Sequence, residues 1–314
     1  MPCHKSNNSR NSNFFKIALI TTLTLTTLLS CTSPFVLGQL YDRAPKRAEK
    51  SLTRYAEFGH AQHQAIRISL RRYHRWHRET QLPEYAILLR SIAIQVQNES
   101  QVDVKTLKLW LDRIEHFSNR LRQCNPLNDS ANLLKGLTDN QVEQISDRLI
   151  KEKDSELKEY QQKTDQQRLA RRYKSTIKWA RRIGLPFSSE QASLLKETLQ
   201  LQKNLRPQRM ALWRTWSEQF LHLLHNRSSP EFATRVNRHI DSLWSITKDN
   251  YPTDWQKAKT LWSEYLLKFL QLQSPQQNSS LAKSSIYSPT PLKNYRVKRL
   301  MDHKLIAFNR NNVL

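Results

Sequence analysis

Glycine is scarce in this 314-residue chain, with four, Gly38, Gly59, Gly136 and Gly184, each isolated from the others. Phosphate-cradling loops and nucleophile elbows draw on clustered glycines, so GxGxxG, Walker A and GxSxG patterns are excluded. All-β folds need glycine in their turns. No stretch of useful length alternates apolar and polar residues with period two. Acids are few, 27 against 51 Lys and Arg, which leaves a formal charge of +24. Long apolar runs are missing too. The thirteen residues Ile17 to Leu29 rise only about 20 Å as a helix, against roughly 30 Å for a bilayer core. With 38% hydrophobic residues, the chain can pack a core but does not read as a polytopic membrane protein.

The short apolar run has the context of an export signal. Lys5, Arg10 and Lys16 precede it without an acid, and small residues follow it. It ends Leu28-Leu29-Ser30-Cys31, which resembles the bacterial lipobox. Carried onto this sequence, cleavage falls after Ser30, residues 1–30 are a lipoprotein signal peptide, and Cys31 takes the lipid. Thr32 rather than Asp follows, which in such lipoproteins implies delivery to the outer membrane, facing the periplasm. A multiply acylated cysteine anchors stably where one acyl chain does not. On this reading Cys3 leaves with the signal, Cys31 is consumed, and Cys124 is expected to stand alone without an internal disulfide.

Punctuation divides the rest into helix-length pieces. Pro45, Pro83, Pro126, Pro186, Pro207, Pro230 and Pro252 sit at or near the start of apolar-periodic segments. Thr138 to Gln141 and Ser188 to Gln191 have the form of capping boxes. Ser229-Pro230 reads as an N-cap and first helical residue, and Gly184 as a residue just past a helix end. Apolar residues recur in steps of three and four, as in Leu169, Tyr173, Ile177 and Ala180. This spacing predicts helices at roughly 46–57, 60–80, 83–97, 103–122, 138–163, 166–183, 189–205, 207–225, 230–248 and 253–272. The expected fold is all-α, an elongated bundle of antiparallel helices over 46–272. Residues 31–45 are then a lipidated tether. Residues 273–314, rich in Ser, Gln, Asn and Pro, are expected to be a mostly disordered basic tail.

The stretch from Tyr41 to Ala86 resembles the opening of a bacterial lipoprotein family of unknown function. The matching positions are Tyr41, Ala44 and Pro45, then Tyr55, Phe58 and Gln62, then Trp76-His77-Arg78 and Leu82-Pro83-Glu84-Tyr85-Ala86. Agreement continues through Leu137-Thr138, Gln141, the turn at 184–191, Arg209, Trp213 and Arg227. Arg47-Ala48-Glu49-Lys50 departs from an aromatic pair usual there, and Gly59-His60-Ala61 lacks an acid. The resemblance implies a helical, lipid-anchored envelope protein and supplies no activity.

Candidate chemistry is sparse. His60, His63, His74 and His77 share one predicted helix, but no acid recurs beside them and Arg67, Arg71, Arg75 and Arg78 repel a cation, so no metal or cofactor is expected. Trp76, His77 and Arg78 read as a helix junction, Trp76 packing inward and Arg78 pairing a carboxylate such as Glu84. No carboxylate pair, Ser-His-Asp set or Cys-His set can be defended from spacing. Charge is informative instead. Gln166 to Ser189 contains no acid, while Arg171, Lys174, Lys178, Arg181 and Arg182 form a stripe opposite the apolar face. That stripe is the candidate anion-binding surface, free of local acids. The expected function is a non-enzymatic, membrane-tethered scaffold contacting anionic lipid, glycan phosphates or an acidic protein. A nucleic-acid binder is the alternative, disfavoured by export. A cell-wall or lipid enzyme without recognisable motif is the other.

Overall fold

The structure is a computed structural model that describes residues 34–98, 102–126, 130–182 and 185–279. The expected signal peptide over 1–30, Cys31, Gly184 and the chain after 279 lie outside the described residues. Every regular element among the described residues is helical. In chain order they are α1 (Pro34–Asp42), α2 (Ala44–Leu52), α3 (His60–Trp76), a π-helical segment (His77–Gln81), α4 (Leu82–Asn98), α5 (Val104–Gln123), α6 (Ala131–Lys135), α7 (Asp139–Gln161), α8 (Asp165–Arg182), α9 (Ser189–Leu201), α10 (Arg206–His225), α11 (Phe232–Ser242), α12 (Ile246–Asn250) and α13 (Pro252–Gln271). The result is an all-α bundle, as the apolar spacing predicts.

Among the described residues, three apolar clusters hold the bundle. The first packs Val142, Ile145 and Leu149 of α7 on Leu223 and Leu224 of α10 and Phe232, Val236 and Ile240 of α11. The second joins Tyr85, Leu88 and Val96 of α4 to Leu107, Trp110 and Phe117 of α5. The third sets Leu195 and Leu199 of α9 against Tyr265 and Phe269 of α13, with Leu169, Tyr173 and Ile177 of α8 packed alongside. Leu266 of α13 touches both the second and the third, so this last helix joins them. Trp216 and His239 lock α10 to α11. Their rings stack at 4.6 Å, the Trp216 indole donates to the His239 carbonyl at 2.9 Å, and His239 Nε2 lies 2.8 Å from the Trp216 carbonyl.

Polar pins join the helix starts. Both capping boxes form as the spacing predicts, with Thr138 and Ser188 accepting from the backbone N–H of Gln141 and Gln191. In each, the glutamine Oε1 accepts the N-cap N–H, at 3.0 Å from Thr138 and 2.9 Å from Ser188. The same amide then reaches another helix. Gln141 and Gln62 exchange hydrogen bonds of 2.7 and 3.0 Å, while Gln62 Oε1 accepts the Gly59 N–H at the start of α3. Gln141 Nε2 also donates to the Glu57 carbonyl at 2.7 Å. Gln191 and Gln277 pair likewise, at 3.3 and 2.9 Å, and Gln277 Oε1 accepts the Ser274 N–H. Gln191 is fully buried, and an amide there is tolerable because its polar atoms are partnered.

Several expectations are corrected. Residues 60–98 form one continuous helical run, although Pro83 reads as a helix start. Pro83 has no N–H for an α-type bond, and the π turn just before it, closed by Leu82 N–H to the His77 carbonyl, carries the helix past that gap. The region 230–248 is split. α11 starts at Phe232 rather than Pro230, and Ser242 and Ser245 bond the carbonyls three residues back, competing with helix continuation. Residues 275–279, assigned by composition to the tail, make a helical turn held by the Gln277 pair. Residues 34–42, assigned to the tether, are helical. Cys124, at the C-cap of α5, is disulfide-bonded rather than alone. Its partner lies outside the described residues, since the other cysteines are Cys3 and Cys31. The expectation of a lone thiol applies to a chain that has lost Cys3 and acylated Cys31, whereas the 314-residue chain keeps both.

The pins give a direct test. Gln141→Glu and Gln191→Glu keep the cap acceptor but remove the Nε2 donor and place a charge against acceptors. Each is expected to lower the unfolding free energy by roughly 1–3 kcal/mol. Gln167→Glu is the control, because Gln167 caps Thr164 from an exposed position with no second helix attached. It should stay within about 0.5 kcal/mol. Urea unfolding of the three variants decides, and equal losses at all three positions would refute the pin.

Candidate anion-binding site

On α8 the apolar face turns inward as spacing requires. Ala180 is buried, and Leu169, Tyr173 and Ile177 pack on the third core. Arg171, Lys174, Lys178 and Arg181 are exposed on the other side, and the Arg182 side chain lies outside the described ones. The surface is not free of acids. Arg171 pairs with Glu159 of α7 at 3.2 Å, a residue that also binds Lys163 at 3.0 Å. Sequence spacing missed it because the acid comes from the preceding helix, brought back by the turn at 162–164. Lys174, Lys178 and Arg181 remain without an ion pair to a described residue.

A second basic surface lies between α2 and α3. An open groove of ≈ 570 Å³ is lined by Lys46, Glu49, Lys50, Arg67 and Arg71, with Pro45 and Thr53. Pro45 stands in the first turn of α2, where its missing N–H costs nothing. Glu49 is engaged by Arg67 at 3.0 Å and approached by His63 at 3.9 Å. The Arg67 hydrogen bond holds the Glu49 carboxyl below its usual range, so it stays ionised and satisfies Arg67. Lys46, Lys50 and Arg71 are left without an ion pair to a described residue, and they make the groove cationic. The four arginines beside the histidines are thus divided, with Arg67 bound to Glu49 and Arg78 to Asp42.

The Trp76-His77-Arg78 corner has a structural use, centred on α1. Tyr41 Oη lies 2.8 Å from His77 Nδ1, and the Tyr41 carbonyl lies 3.0 Å from His74 Nε2. The Arg78 guanidinium sits over the Tyr41 ring, 5.2 Å from its centroid, and pairs with Asp42. Glu84 is therefore not the partner of Arg78. It binds Arg113 of α5 at 2.6 Å, which a sequence reading restricted to near neighbours does not find. Trp76 is half-buried rather than packed inward, resting on Tyr73 at 5.4 Å. The histidines do not converge. His60 is exposed, His63 faces Phe58 edge-on, and His74 and His77 hold Tyr41. Among the described residues no group of three potential metal ligands forms.

Burial sets the chemistry of this corner. Desolvation, then the neighbouring His74, pushes the His77 pKa down to about 4, so its ring is neutral at physiological pH. A neutral ring with its proton on Nε2 accepts the Tyr41 hydroxyl at Nδ1. Burial raises Tyr41 to about 12, which keeps that donor protonated. The corner is a strap that fastens α1 to the long helix at its π turn.

A family model described as a family of unknown function, DUF6279, matches residues 54–251. The match takes in the Gln62–Gln141 pin, the His77 π turn and the α8 stripe, but not α1, α2 or α13. No curated protein and no solved structure matches.

The strap predicts a pH dependence. The folded His77 pKa of about 4 lies below the ordinary histidine value of 6.5. The unfolded chain therefore binds a proton that the folded one does not, as pH falls from 6.5 towards 4. Stability is full above pH 6.5 and is lost across that window, by an amount on the order of 3 kcal/mol from this group. Urea unfolding at pH 7 and pH 4.5 should show a steep loss in the wild type and a shallower one in His77→Gln. Equal slopes would show that His77 does not carry the effect.

Proposed function

We propose that this chain, which belongs to the DUF6279 family of unknown function, is a lipid-tethered envelope module that meets anionic partners through its basic surface. The observation that carries the reading is the α2–α3 groove. Its three uncompensated cations lie just beyond α1, a helix of nine residues, about 14 Å long, that starts three residues after Cys31. A diacylated Cys31 brings the membrane within short reach of Lys46, Lys50 and Arg71. Each cation near an anionic leaflet contributes about 1 kcal/mol, so lipid and groove act as two signals for one surface. The outer membrane is the destination we assign, from Thr32 beside Cys31. The module acts as a scaffold: anchored at one end, it presents the α8 stripe to glycan phosphates or an acidic protein.

Lipidation and a disulfide are mutually exclusive fates of the Cys31 sulfur, and Cys3 leaves with the signal, so on this reading the Cys124 disulfide belongs to the chain before processing. Peptide mass spectrometry of protein extracted from membranes should find Cys31 as an acylated N-terminal residue. A Cys31–Cys124 disulfide in its place, or Cys31→Ala remaining in the membrane fraction at high salt, would refute the anchor. For the groove, Lys46→Gln/Lys50→Gln/Arg71→Gln should weaken low-salt binding to phosphatidylglycerol vesicles roughly a hundredfold. The wild-type binding should also fall steeply with salt. Tighter binding to DNA than to vesicles at matched salt would favour the nucleic-acid reading instead.

A further inference from the structure

Where the end of α7 meets the starts of α8 and α10, arginines gather around Tyr160. The Arg168 guanidinium lies 4.0 Å from the ring centroid and that of Arg206 5.4 Å. Both have counter-charges. Arg168 binds Asp165 at 2.7 Å and donates to the Tyr160 carbonyl at 2.8 Å, and Arg206 pairs with Glu156 at 3.5 Å. Arg172 and Arg209 complete the corner, and neither is in ion-pair contact with a described carboxylate, Glu156 being taken by Arg206. Arg172 donates to the neutral Gln202 Oε1 at the end of α9, and keeps solvent access. Arg209 is half-buried and makes no side-chain hydrogen bond or ion pair with a described residue. Desolvation and then the charge of Arg209 hold Arg172 below its ordinary pKa. Arg209 is held down by desolvation and then Arg206, with Glu156 opposing.

Arg172 follows Arg168 by one turn of α8 and Arg209 follows Arg206 by one turn of α10, so the two helices that meet at Tyr160 carry two further guanidinium groups on the same faces, and an oxyanion held by both relieves their like charge. Each guanidinium offers a planar fork of N–H donors that matches two phosphate oxygens. We propose that Arg172 and Arg209 form a phosphate-binding site, with Gln202 fixing Arg172 and the Tyr160–Arg206 contact forming one wall. The site is distinct from the α2–α3 groove. It is also distinct from the outward stripe, because Arg172 reaches Gln202 at the end of α9, a contact that Lys174, Lys178 and Arg181 do not make.

Thermal unfolding and calorimetric titration of the purified full chain with inorganic phosphate test this, at constant ionic strength set with chloride. The wild type should show saturable binding and a rise in Tm. Arg172→Gln and Arg209→Gln should each lower phosphate affinity about tenfold or more, since each loses charge-assisted hydrogen bonds. Without phosphate, Arg209→Gln should be at least as stable as the wild type, because a like charge is removed. A structural arginine would do the opposite. Should Arg209→Gln fail to fold, Arg209→Lys keeps the charge, removes the fork, and is expected to lose affinity similarly. Absence of saturable binding, an equal response to chloride, or undiminished affinity in both variants would overturn the site. Phosphatidic acid vesicles that compete with phosphate at this site identify a headgroup phosphate as its ligand. Vesicles that leave phosphate binding unchanged identify the free anion, and both results keep the site. Lys46→Gln/Lys50→Gln/Arg71→Gln should bind phosphate normally, so failure of the groove and failure of this site read separately.

Discussion

The architecture depends on a side-chain amide that does two jobs at once. Each helix start leaves N–H groups unsatisfied, and a glutamine at the third position covers one of them with its oxygen. Glutamate covers it equally well, and its charge suits the helix dipole better. What glutamate lacks is the NH₂. In Gln62 with Gln141, and again in Gln191 with Gln277, the amide oxygen faces its own helix start while the NH₂ bonds the opposite amide. Two positive helix ends are thereby brought together without an anion between them. The buried polar cost is met locally, and the register between distant parts of the chain is set by a pair of neutral groups.

Half of this was legible in the sequence. Thr138 to Gln141 and Ser188 to Gln191 announce their caps through residue type and spacing alone. Their partners do not. Gly59 has no side chain to complete the signature at Gln62, and Ser274 to Gln277 sits in a stretch whose composition resembles disorder. A capping box is a local motif, whereas an amide pair spanning 79 or 86 residues is a tertiary fact. The same division runs through the charges. The inward face of α8 and the exposure of Lys174, Lys178 and Arg181 follow from helical period. Glu159 opposite Arg171, Arg113 at Glu84 and Asp42 at Arg78 depend on how helices are laid against one another. The arginines at 172 and 209 are invisible as a pair until α8 and α10 are placed.

Pro83 was the most misleading residue. Helix-start statistics favour proline in the first turn, and reading a break there makes Trp76 to Tyr85 a junction. The π turn keeps the helix continuous instead, and the extra residue it inserts offsets the faces on either side of it. His74 and His77 are thereby presented to α1, while Tyr85 and Leu88 turn to α5. The change of period at the π turn sets the strap beside the core, with the His77 and Tyr85 rings 5.6 Å apart edge to face.

The last helix carries an implication for what counts as the domain. α13 lies beyond residue 251, where the family match ends, yet Tyr265, Leu266 and Phe269 form walls of two of the three cores. A shared stretch that leaves α8, α9 and the α4–α5 pair uncovered is not a self-sufficient folding unit. In this chain those faces are closed by its own C-terminal helix, through apolar residues at helical period. Recognisable kinship therefore ends before the fold does, and the boundary drawn by similarity is a boundary of sequence memory, not of cooperativity.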